Sequence, residues 1–289
     1  MLATCIWSGQ NVLGEGPLWD HRDQLLYWLD IAKAELHCFD LPANKHRAWQ
    51  MSEPICCIGL RAEGGFIAAW KSGFGTIELP SGKFNKLTLS LSAAQGTMFN
   101  DGKVDHQGRF WAGTKDLLEQ KMLGSLYCLS PDGLIKELDH GFTVSNGIAW
   151  SLDNKTLYFT DSPARTIYQY DFNPATGDIS NRRVFVTVAN DAGYPDGLTI
   201  DSEGYLWGAH WGGWRVTRYK PTGQVDRVVE MPVEQPTSCC FGGEDLDILF
   251  VTSASRDLTP AQLARGRQAG GLFTLHPGVK GLPEPLFVG

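Results

Sequence analysis

Three polar side chains of the kinds that bind metal ions stand at the same place in three similar stretches of the sequence. Glu15 lies in GEGPLWD, Asn146 in SNGIAWSLD and Asp196 in PDGLTID, and each is followed by a glycine and an apolar segment. Carboxylate and carboxamide oxygens are ligands of hard and borderline divalent cations. Asn-Gly and Asp-Gly also form ordinary turns, which would explain any one copy. Three copies with the polar residue at the same position favour a single metal site formed by all three.

His210 is the histidine best placed for chemistry beside these residues. It ends the strand GYLWGAH, directly after the Asp196 stretch, where its side chain could face the same site. A packed, hydrogen-bonded histidine is the alternative interpretation. The sequence has no nucleophile elbow, no phosphate-binding loop, no HExxH zinc motif and no dinucleotide motif. The candidate chemistry therefore depends on the oxygen-bearing residues.

The elements that must position these residues recur with a period. Six aromatic-rich strands repeat at separations of 39 to 48 residues: LLYWLD, GFIAAW, GRFWAGT, TLYFTD, GYLWGAH and DILFVTS. A strand with β-type alternation follows each of them, and a strand rich in small residues precedes each. Predicted outer strands complete the units: KHRAW, NKLTL, LIKEL, RRVFV, QVDRVVEM and PLFVG.

Six four-stranded units of this length predict an all-β fold, a six-bladed β-propeller with antiparallel blades around a central channel. We expect residues 1–289 to form one domain, with the N-terminal ATCIWSG strand completing the last blade. A pair of β-sandwiches would lack the six-fold phasing, and an α/β fold would need long amphipathic helices. The only helical candidate is TPAQLARGR, near residue 259.

A propeller brings the starts of its inner strands to one end of the channel, however far apart they are in the chain. The predicted set at that end is Glu15, Cys57, Asn100, Asn146, Asp196 and Cys239. Four of the six are oxygen-bearing polar residues. This placement predicts a divalent metal site at the channel mouth.

Composition limits the partners. The chain has 289 residues, a net charge of -7 and seven cysteines in no C-x-x-C spacing. Basic residues form no run or stripe, which argues against a nucleic-acid partner. No segment has the roughly 18 apolar residues of a membrane-spanning helix, and the start has no signal-peptide pattern. We expect a cytoplasmic protein with reduced, buried cysteines and no obligate protein partner.

Several motifs, in order, resemble those of one family: LGEGPLWD, FNDGKVDHQGRFWAGT, SNGIAWSLD, ISNRRVF, PDGLTIDSEGYLW, TSCCFGG and AGGLF. Together they are similar to the family of regucalcin (senescence marker protein), gluconolactonases and related sugar lactonases, from about residue 12 to the end. The stretch around YPDG and EGYLWGAHWGGW is similar to bacterial aldonolactonases. The resemblance implies a six-bladed propeller that hydrolyses sugar lactones with one divalent metal ion.

Carried over by position, the resemblance makes Glu15, Asn146 and Asp196 the metal ligands, and Asp196 also the general base. It places Asn100 and Asp101 on the substrate side. Where regucalcin-like members carry an arginine, this chain carries Met98, so the preferred sugar is expected to differ. The ligand types admit calcium, zinc, magnesium, manganese or iron(II).

Four functional hypotheses remain open at this point. The first is metal-dependent hydrolysis of a sugar lactone (aldonolactone) to the free acid, with a small-molecule substrate. The second is a calcium-binding regulatory propeller without significant turnover. A WD-type scaffold is disfavoured because its signature pairs do not recur in each blade. An esterase similar to paraoxonases would bring more channel histidines than His210 alone.

Overall fold

The computed structural model describes residues 2–87 and 96–289, and almost all regular structure in these ranges is β-strand. The strands form six antiparallel sheets of four strands each. The predicted all-β, six-bladed propeller is confirmed.

The first three blades follow the chain order from the inner strand outwards. Blade 1 contains β2 (Gly14–Asp20), β3 (Leu25–Asp30), β4 (Glu35–Asp40) and β5 (Lys45–Gln50). Blade 2 contains β6 (Ile55–Leu60), β7 (Phe66–Trp70), β8 (Gly73–Glu78) and β9 (Lys83–Lys86). Blade 3 contains β10 (Thr97–Val104), β11 (Phe110–Asp116), β12 (Gly124–Leu129) and β13 (Ile135–Phe142).

The other three blades repeat this arrangement, and the last takes its outer strand from the chain start. Blade 4 contains β14 (Ser145–Trp150), β15 (Thr156–Asp161), β16 (Thr166–Asn173) and β17 (Asp178–Thr187). Blade 5 contains β18 (Tyr194–Ile200), β19 (Leu206–Trp211), β20 (Arg215–Tyr219) and β21 (Val225–Glu230). Blade 6 contains β22 (Pro236–Gly242), β23 (Ile248–Ser253), β24 (Leu272–Leu275) and β1 (Thr4–Trp7).

The N-terminal strand closes the ring as predicted, because β1 pairs with β24. The predicted outer strand PLFVG is wrong, since β1 already occupies that edge of blade 6. Phe287 instead exchanges backbone hydrogen bonds with Leu60 (2.8 Å) and Ala62 (2.9 Å) of blade 2. For the predicted strand NKLTL, β9 covers 85 and 86, and residues 88 and 89 lie outside the described ranges.

The inner strands form the channel wall. Each contacts the inner strand of the next blade, from β2 through β6, β10, β14 and β18 to β22, which contacts β2 again. Apolar layers fill the space between neighbouring blades. In the layer between blades 3 and 4, for example, Trp111, Phe159 and Ile148 are buried together. This ring holds the inner-strand starts in fixed mutual positions.

In each of two blades, a buried aspartate organises the turn before the aromatic strand. Asp105 accepts backbone hydrogen bonds from Gln107 and Arg109, and its other oxygen accepts from the Trp111 indole at 2.9 Å. Asp201 repeats the pattern with Trp207 at 2.8 Å in blade 5. Both carboxylates are fully buried and are paired with arginine side chains.

Replacing Asp105 by Ala is expected to lower the free energy of unfolding by about 3 kcal/mol, the lower end for breaking a buried ion pair. The substitution removes the carboxylate that lies 2.9 Å from the Arg109 guanidinium. The guanidinium keeps its hydrogen bond to the backbone carbonyl of Pro174 but loses its charge partner. Denaturant unfolding measures the change. Asp132→Ala, at an exposed turn, is the matched control and should change stability by less than about 0.5 kcal/mol. Equal effects of the two variants would contradict this account.

The predicted helical segment forms one short helix, α1 (Pro260–Arg265), whose first turn is capped by Thr259. Thr259 donates its backbone N–H to the Gln262 side chain at 2.9 Å and accepts from the Gln262 backbone N–H. Within residues 2–87 and 96–289, no helix has the length and apolar character needed to cross a membrane.

Candidate active site

Each inner strand contains a β-bulge near its start. In β18, Pro195 pairs with His210 and Leu198 pairs with Gly208, so Asp196 and Gly197 lie opposite a single residue. A bulge breaks the strand alternation and re-aims the side chains it contains. Asn100 and Asp196 lie within such bulges, and Glu15 and Asn146 are the last paired residues before them, at the end of the channel where six strands converge.

The bulges also correct two of the predicted strand starts. In β6 the unpaired extra residue is Cys56, between Ile55 and Cys57. In β22 the bulge holds Thr237 and Ser238, and Cys239 comes after it. The placement of Cys57 and Cys239 at the channel mouth was wrong because an extra residue in a bulge shifts the register, and alternation alone does not reveal that shift.

The cysteines have no disulfide partners, as predicted. Six of the seven are buried, and Cys5 is half-buried. Burial raises the pKa of the Cys56 and Cys239 thiols to about 12, so both stay protonated at neutral pH. Protonated, buried thiols are poor nucleophiles and poor metal ligands. The cysteines at the inner strands are therefore packing residues.

Four of the predicted site residues line one cavity of about 420 Å³ at the channel mouth: Glu15, Asn100, Asn146 and Asp196. We call it the mouth cavity. They come from blades 1, 3, 4 and 5, so the ring brings together residues up to 181 positions apart in the chain. Binding sites of small molecules fall in this range of volumes.

Two glycines next to these residues are required by close approach of the inner strands. A Cβ on Gly147 would overlap the backbone carbonyl oxygen of Asp196, and its φ is +21°. A Cβ on Gly197 would overlap the side chain of Ser238. The glycine after Asn146 and the one after Asp196 thus allow neighbouring strands to converge, which is how the two side chains reach one cavity.

The Asn146 side chain is held in one orientation by hydrogen bonds. Its amide nitrogen donates to the Ser162 hydroxyl at 2.8 Å, and that hydroxyl donates to the backbone carbonyl of Pro195 at 2.7 Å. Its carbonyl oxygen accepts from the Asn100 amide at 2.8 Å. Asn100 also donates to the carbonyl of Ser145 at 2.9 Å. These hydrogen bonds fix the carbonyl oxygen of Asn146, which could bind a metal ion, beside Asn100.

Three carboxyl groups crowd this end of the channel: Asp196 is buried, and Glu15 and Asp101 are half-buried. Burial, together with the charge of Asp101, raises the pKa of Glu15 to about 8. Burial, then Glu15 and Asp101, raises the pKa of Asp196 well above its usual range. Burial also raises the pKa of Asp101 to about 6. Lys115 is the cation that opposes these shifts at Glu15 and Asp196. Carboxylates in such surroundings ionise readily only when more positive charge is nearby.

A divalent cation fits the groups that are present. One oxygen of Asp196 is buried and has no hydrogen-bond partner among the described residues, although Asp196 is only 4% exposed. A buried oxygen without a partner calls for a ligand. Within the described part of the chain, no group of three or more Asp, Glu, His or Cys side chains is arranged to hold a metal. The candidate set instead has two carboxylates and one amide oxygen.

Two other predicted residues do not line the mouth cavity. Asp101 lies deeper, on a small channel cavity of about 30 Å³ that Lys103 and Glu284 also line. Met98 packs against an apolar cluster that includes Phe99. The structure therefore places both residues outside the lining of the mouth cavity, and the charge of Asp101 helps to raise the pKa of Glu15 and Asp196.

His210 also lies outside the cavity lining, and its contacts match the interpretation of a packed, hydrogen-bonded histidine rather than that of a substrate-binding residue. Its Nδ1 is 2.7 Å from the carbonyl oxygen of Ala192, and its Nε2 is 2.8 Å from the Tyr219 hydroxyl. Burial lowers its pKa to about 4, so the ring is neutral at neutral pH. A neutral ring with both nitrogens engaged has no free group for a substrate.

Sequence reasoning missed two residues at the end of the second strand of a blade. Lys115 and Ser162 both line the mouth cavity. Lys115 is the last residue but one of β11 and Ser162 follows β15, and both strands run antiparallel to the inner strands. Since antiparallel neighbours place the end of one strand beside the start of the other, the same periodicity would have identified them.

Comparisons with known proteins give consistent matches. A model of the SMP-30/Gluconolactonase/LRE-like region matches residues 13–255. The chain is 36% identical over 293 residues to regucalcin of Gallus gallus, covering 99% of this chain and 98% of the relative. It is 36% identical over 286 residues to 6-deoxy-6-sulfogluconolactonase of Pseudomonas putida, covering 99% and 98%. The solved structure of a calcium-binding protein, regucalcin, from Agrobacterium tumefaciens superposes with a TM-score of 0.93 at 27% identity, covering 98% and 96%.

Proposed function

The chain belongs to the SMP-30/Gluconolactonase/LRE-like family, and from that membership and the mouth cavity we propose that it hydrolyses sugar lactones, with an aldonolactone as substrate and one divalent metal ion as cofactor. The observation that carries this proposal is the meeting of Glu15, Asn146 and Asp196 in one cavity. The name of the Pseudomonas putida relative, a lactonase of a modified gluconolactone, supports the substrate class.

Glu15, Asn146 and Asp196 are the residues that would hold the metal. Two carboxylates balance the charge of a divalent ion, and the oriented amide oxygen of Asn146 adds a neutral donor. A bound divalent ion would supply Lewis-acid polarisation of the lactone carbonyl. These oxygen ligands suit calcium, magnesium, manganese, iron(II) and zinc, and the test below discriminates among them.

The side chains of this site have separate roles in ester cleavage. Water attacks the carbonyl carbon, and Asp196 accepts the proton that the water loses. The carbon–oxygen bond of the ring then breaks, and the leaving alcohol oxygen takes up the proton held by Asp196, which gives the free hydroxy acid and restores the carboxylate. Asn146 cannot accept a proton in this way, since its amide oxygen is a neutral hydrogen-bond acceptor. Asn100 holds the Asn146 amide and faces the same cavity.

An ion-binding regulatory propeller without turnover is the second candidate. The Agrobacterium tumefaciens neighbour is described as a calcium-binding protein, which favours an ion in the channel. The cavity of about 420 Å³ above the ligand set favours a substrate as well, because an ion that only stabilised the fold would need no space beside it.

Removal of the metal is expected to abolish lactone hydrolysis above the spontaneous rate, and re-addition of one suitable ion to restore it. The measurement follows acid release with a pH indicator on a panel of aldonolactones, after chelation and after adding calcium, magnesium, manganese, zinc or iron(II). Elemental analysis should find about one ion per chain. Full activity of the chelated protein would contradict metal dependence. If no lactone is turned over with any ion, the regulatory alternative stands instead.

A further inference from the structure

Lys115 is a buried lysine whose side chain lines the mouth cavity. It is 7% exposed and lies on β11, beside the cavity end of the inner strand β10. Glu15 and Asp196 line the same cavity, and the positive charge of Lys115 opposes the rise in the pKa of both carboxyl groups. Lysine is seldom buried unless its charge has a partner, so the position needs an explanation.

The partner of Lys115 is Glu119, whose carboxylate lies 2.7 Å from the ammonium and also lines the cavity. A tight turn holds Glu119 in place. The Asp116 carboxylate accepts the backbone N–H groups of Gln120 and Lys121 at 2.9 and 3.0 Å, and Glu119 itself has a φ of +55°. A non-glycine residue in the left-handed region costs about 1 kcal/mol, which the surrounding hydrogen bonds must offset. The turn therefore presents the carboxylate to Lys115 from a fixed position.

The Lys115–Glu119 pair has hydrogen-bonding capacity left over. An ammonium group has three donors, and among the described residues Glu119 is its one acceptor. The Glu119 carboxylate retains further lone pairs. A neutralised pair does not form a site for an anion, but it offers a donor and an acceptor side by side. Neighbouring hydroxyl groups of a sugar ring, each of which donates and accepts, match that arrangement.

The charges that line the cavity also fit an uncharged ligand. Among the described residues, four carboxyl groups line it, those of Glu15, Glu119, Asp196 and Asp257, against the two cations Lys115 and Arg256. If all are ionised, two negative charges remain, and a divalent ion would balance them. With the ion bound, the net charge of the cavity lining is zero, which suits a lactone because a lactone is uncharged.

We propose that Lys115, oriented by Glu119, binds a hydroxyl group of the lactone and so selects polyhydroxylated lactones over lactones without ring hydroxyls. This inference rests on the proposed lactonase function and deepens it by naming a specificity-determining residue. Met98 is the residue paired with Lys115 on β10, and its half-buried thioether, which packs against an apolar cluster, offers no hydrogen-bond donor.

The test compares two lactones on the metal-loaded protein. One is D-glucono-1,5-lactone, or the aldonolactone that wild type hydrolyses fastest. The other is δ-valerolactone, which has the same ring ester without hydroxyls. In Lys115→Met, kcat/KM for the polyhydroxylated lactone should fall about 10- to 100-fold, mainly through KM, as expected for loss of a charged hydrogen bond. The fall for δ-valerolactone should be at least about ten times smaller. Lys115→Arg should recover part of the loss.

The controls separate this inference from the proposed function. Met98→Leu changes the paired residue without altering donors and should leave both lactones within about twofold of wild type. Thermal unfolding and metal content check that each variant is folded and loaded. An active wild type whose Lys115→Met variant loses the same factor on both lactones, or loses nothing, overturns this inference alone. A wild type that hydrolyses no lactone with any ion overturns the proposed function and this inference with it.

Discussion

Replacing Asp196 by Asn is expected to lower kcat/KM for the best lactone about 10⁴-fold, the upper end for loss of a general base. The substitution keeps the size of the side chain but removes its charge and its capacity to accept a proton. Asp196 is 4% exposed, and one of its oxygens has no hydrogen-bond partner among the described residues. Initial rates at saturating metal measure the loss, and most of it should appear in kcat.

The matched control for this prediction is Asp191→Asn, the same chemical change at an exposed residue five positions earlier. It should leave kcat/KM within about twofold, as for surface substitutions in general. An Asp196→Asn variant that retained more than a tenth of wild-type activity at saturating metal would remove Asp196 from the proton-transfer step.

A double exchange, Asn146→Asp with Asp196→Asn, separates metal binding from proton transfer. It keeps the ligand types and the net charge of the site, so metal content should fall less than turnover does. The two positions differ in their surroundings. Asn146 is fixed between Ser162 and Asn100, whereas Asp196 has an unpaired oxygen. A carboxylate at 146 would lose the donor that the amide gives to Ser162. Equal losses of metal and turnover would mean that the two side chains serve only as ligands.

Much of the fold was predictable because each blade repeats one pattern of side chains. The aromatic strands at β3 and β15 coincide with the predicted LLYWLD and TLYFTD. The periodicity was enough to place Glu15, Asn146 and Asp196 at one end of the channel, because residues at the same point of each repeat lie at the same height in a propeller. The structure brings all three to one cavity. Their roles as ligands and base stay predictions.

The errors have a common physical origin, which is that local packing does not follow from spacing. Cys57 and Cys239 were displaced because the bulge adds residues that alternation does not reveal. His210 has the expected strand position, but the Tyr219 hydroxyl on the neighbouring strand β20 binds its ring. That partner depends on the cross-strand pairing of blade 5, which the spacing of His210 alone does not specify.

Replacing Glu15 by Gln is expected to reduce bound metal well below one ion per chain and to lower kcat/KM about 10³-fold, the scale seen when one electrostatic contact to the reacting group is lost. Glu15 contributes one of the two carboxylates of the candidate set, and it is paired with Leu29 on β3, immediately before the bulge of β2. Gln keeps an oxygen donor but removes a negative charge, so affinity for a divalent ion must fall. Elemental analysis after dialysis and rates against metal concentration measure both effects. Glu244→Gln, at an exposed turn, should change neither.

The same variant should make the metal-free protein more stable at high pH. Burial and Asp101 raise the pKa of Glu15 from 4.5 to about 8, so its ionised form opposes folding when no cation is present. This penalty is absent below pH 4, grows as the pH rises and is complete above pH 8. Gln does not ionise, so its advantage should appear over that interval. We expect about 1 kcal/mol at pH 9, because the side chain faces the cavity and solvent screens its charge. Denaturant unfolding of both chelated proteins at pH 5 and pH 9 measures it.

A metal-free Glu15→Gln variant that is less stable than wild type at pH 9 would show that Glu15 supports the fold. The expected result, a more stable chain that binds less metal, would mean that the carboxylate is kept at a cost to stability for the ion it binds.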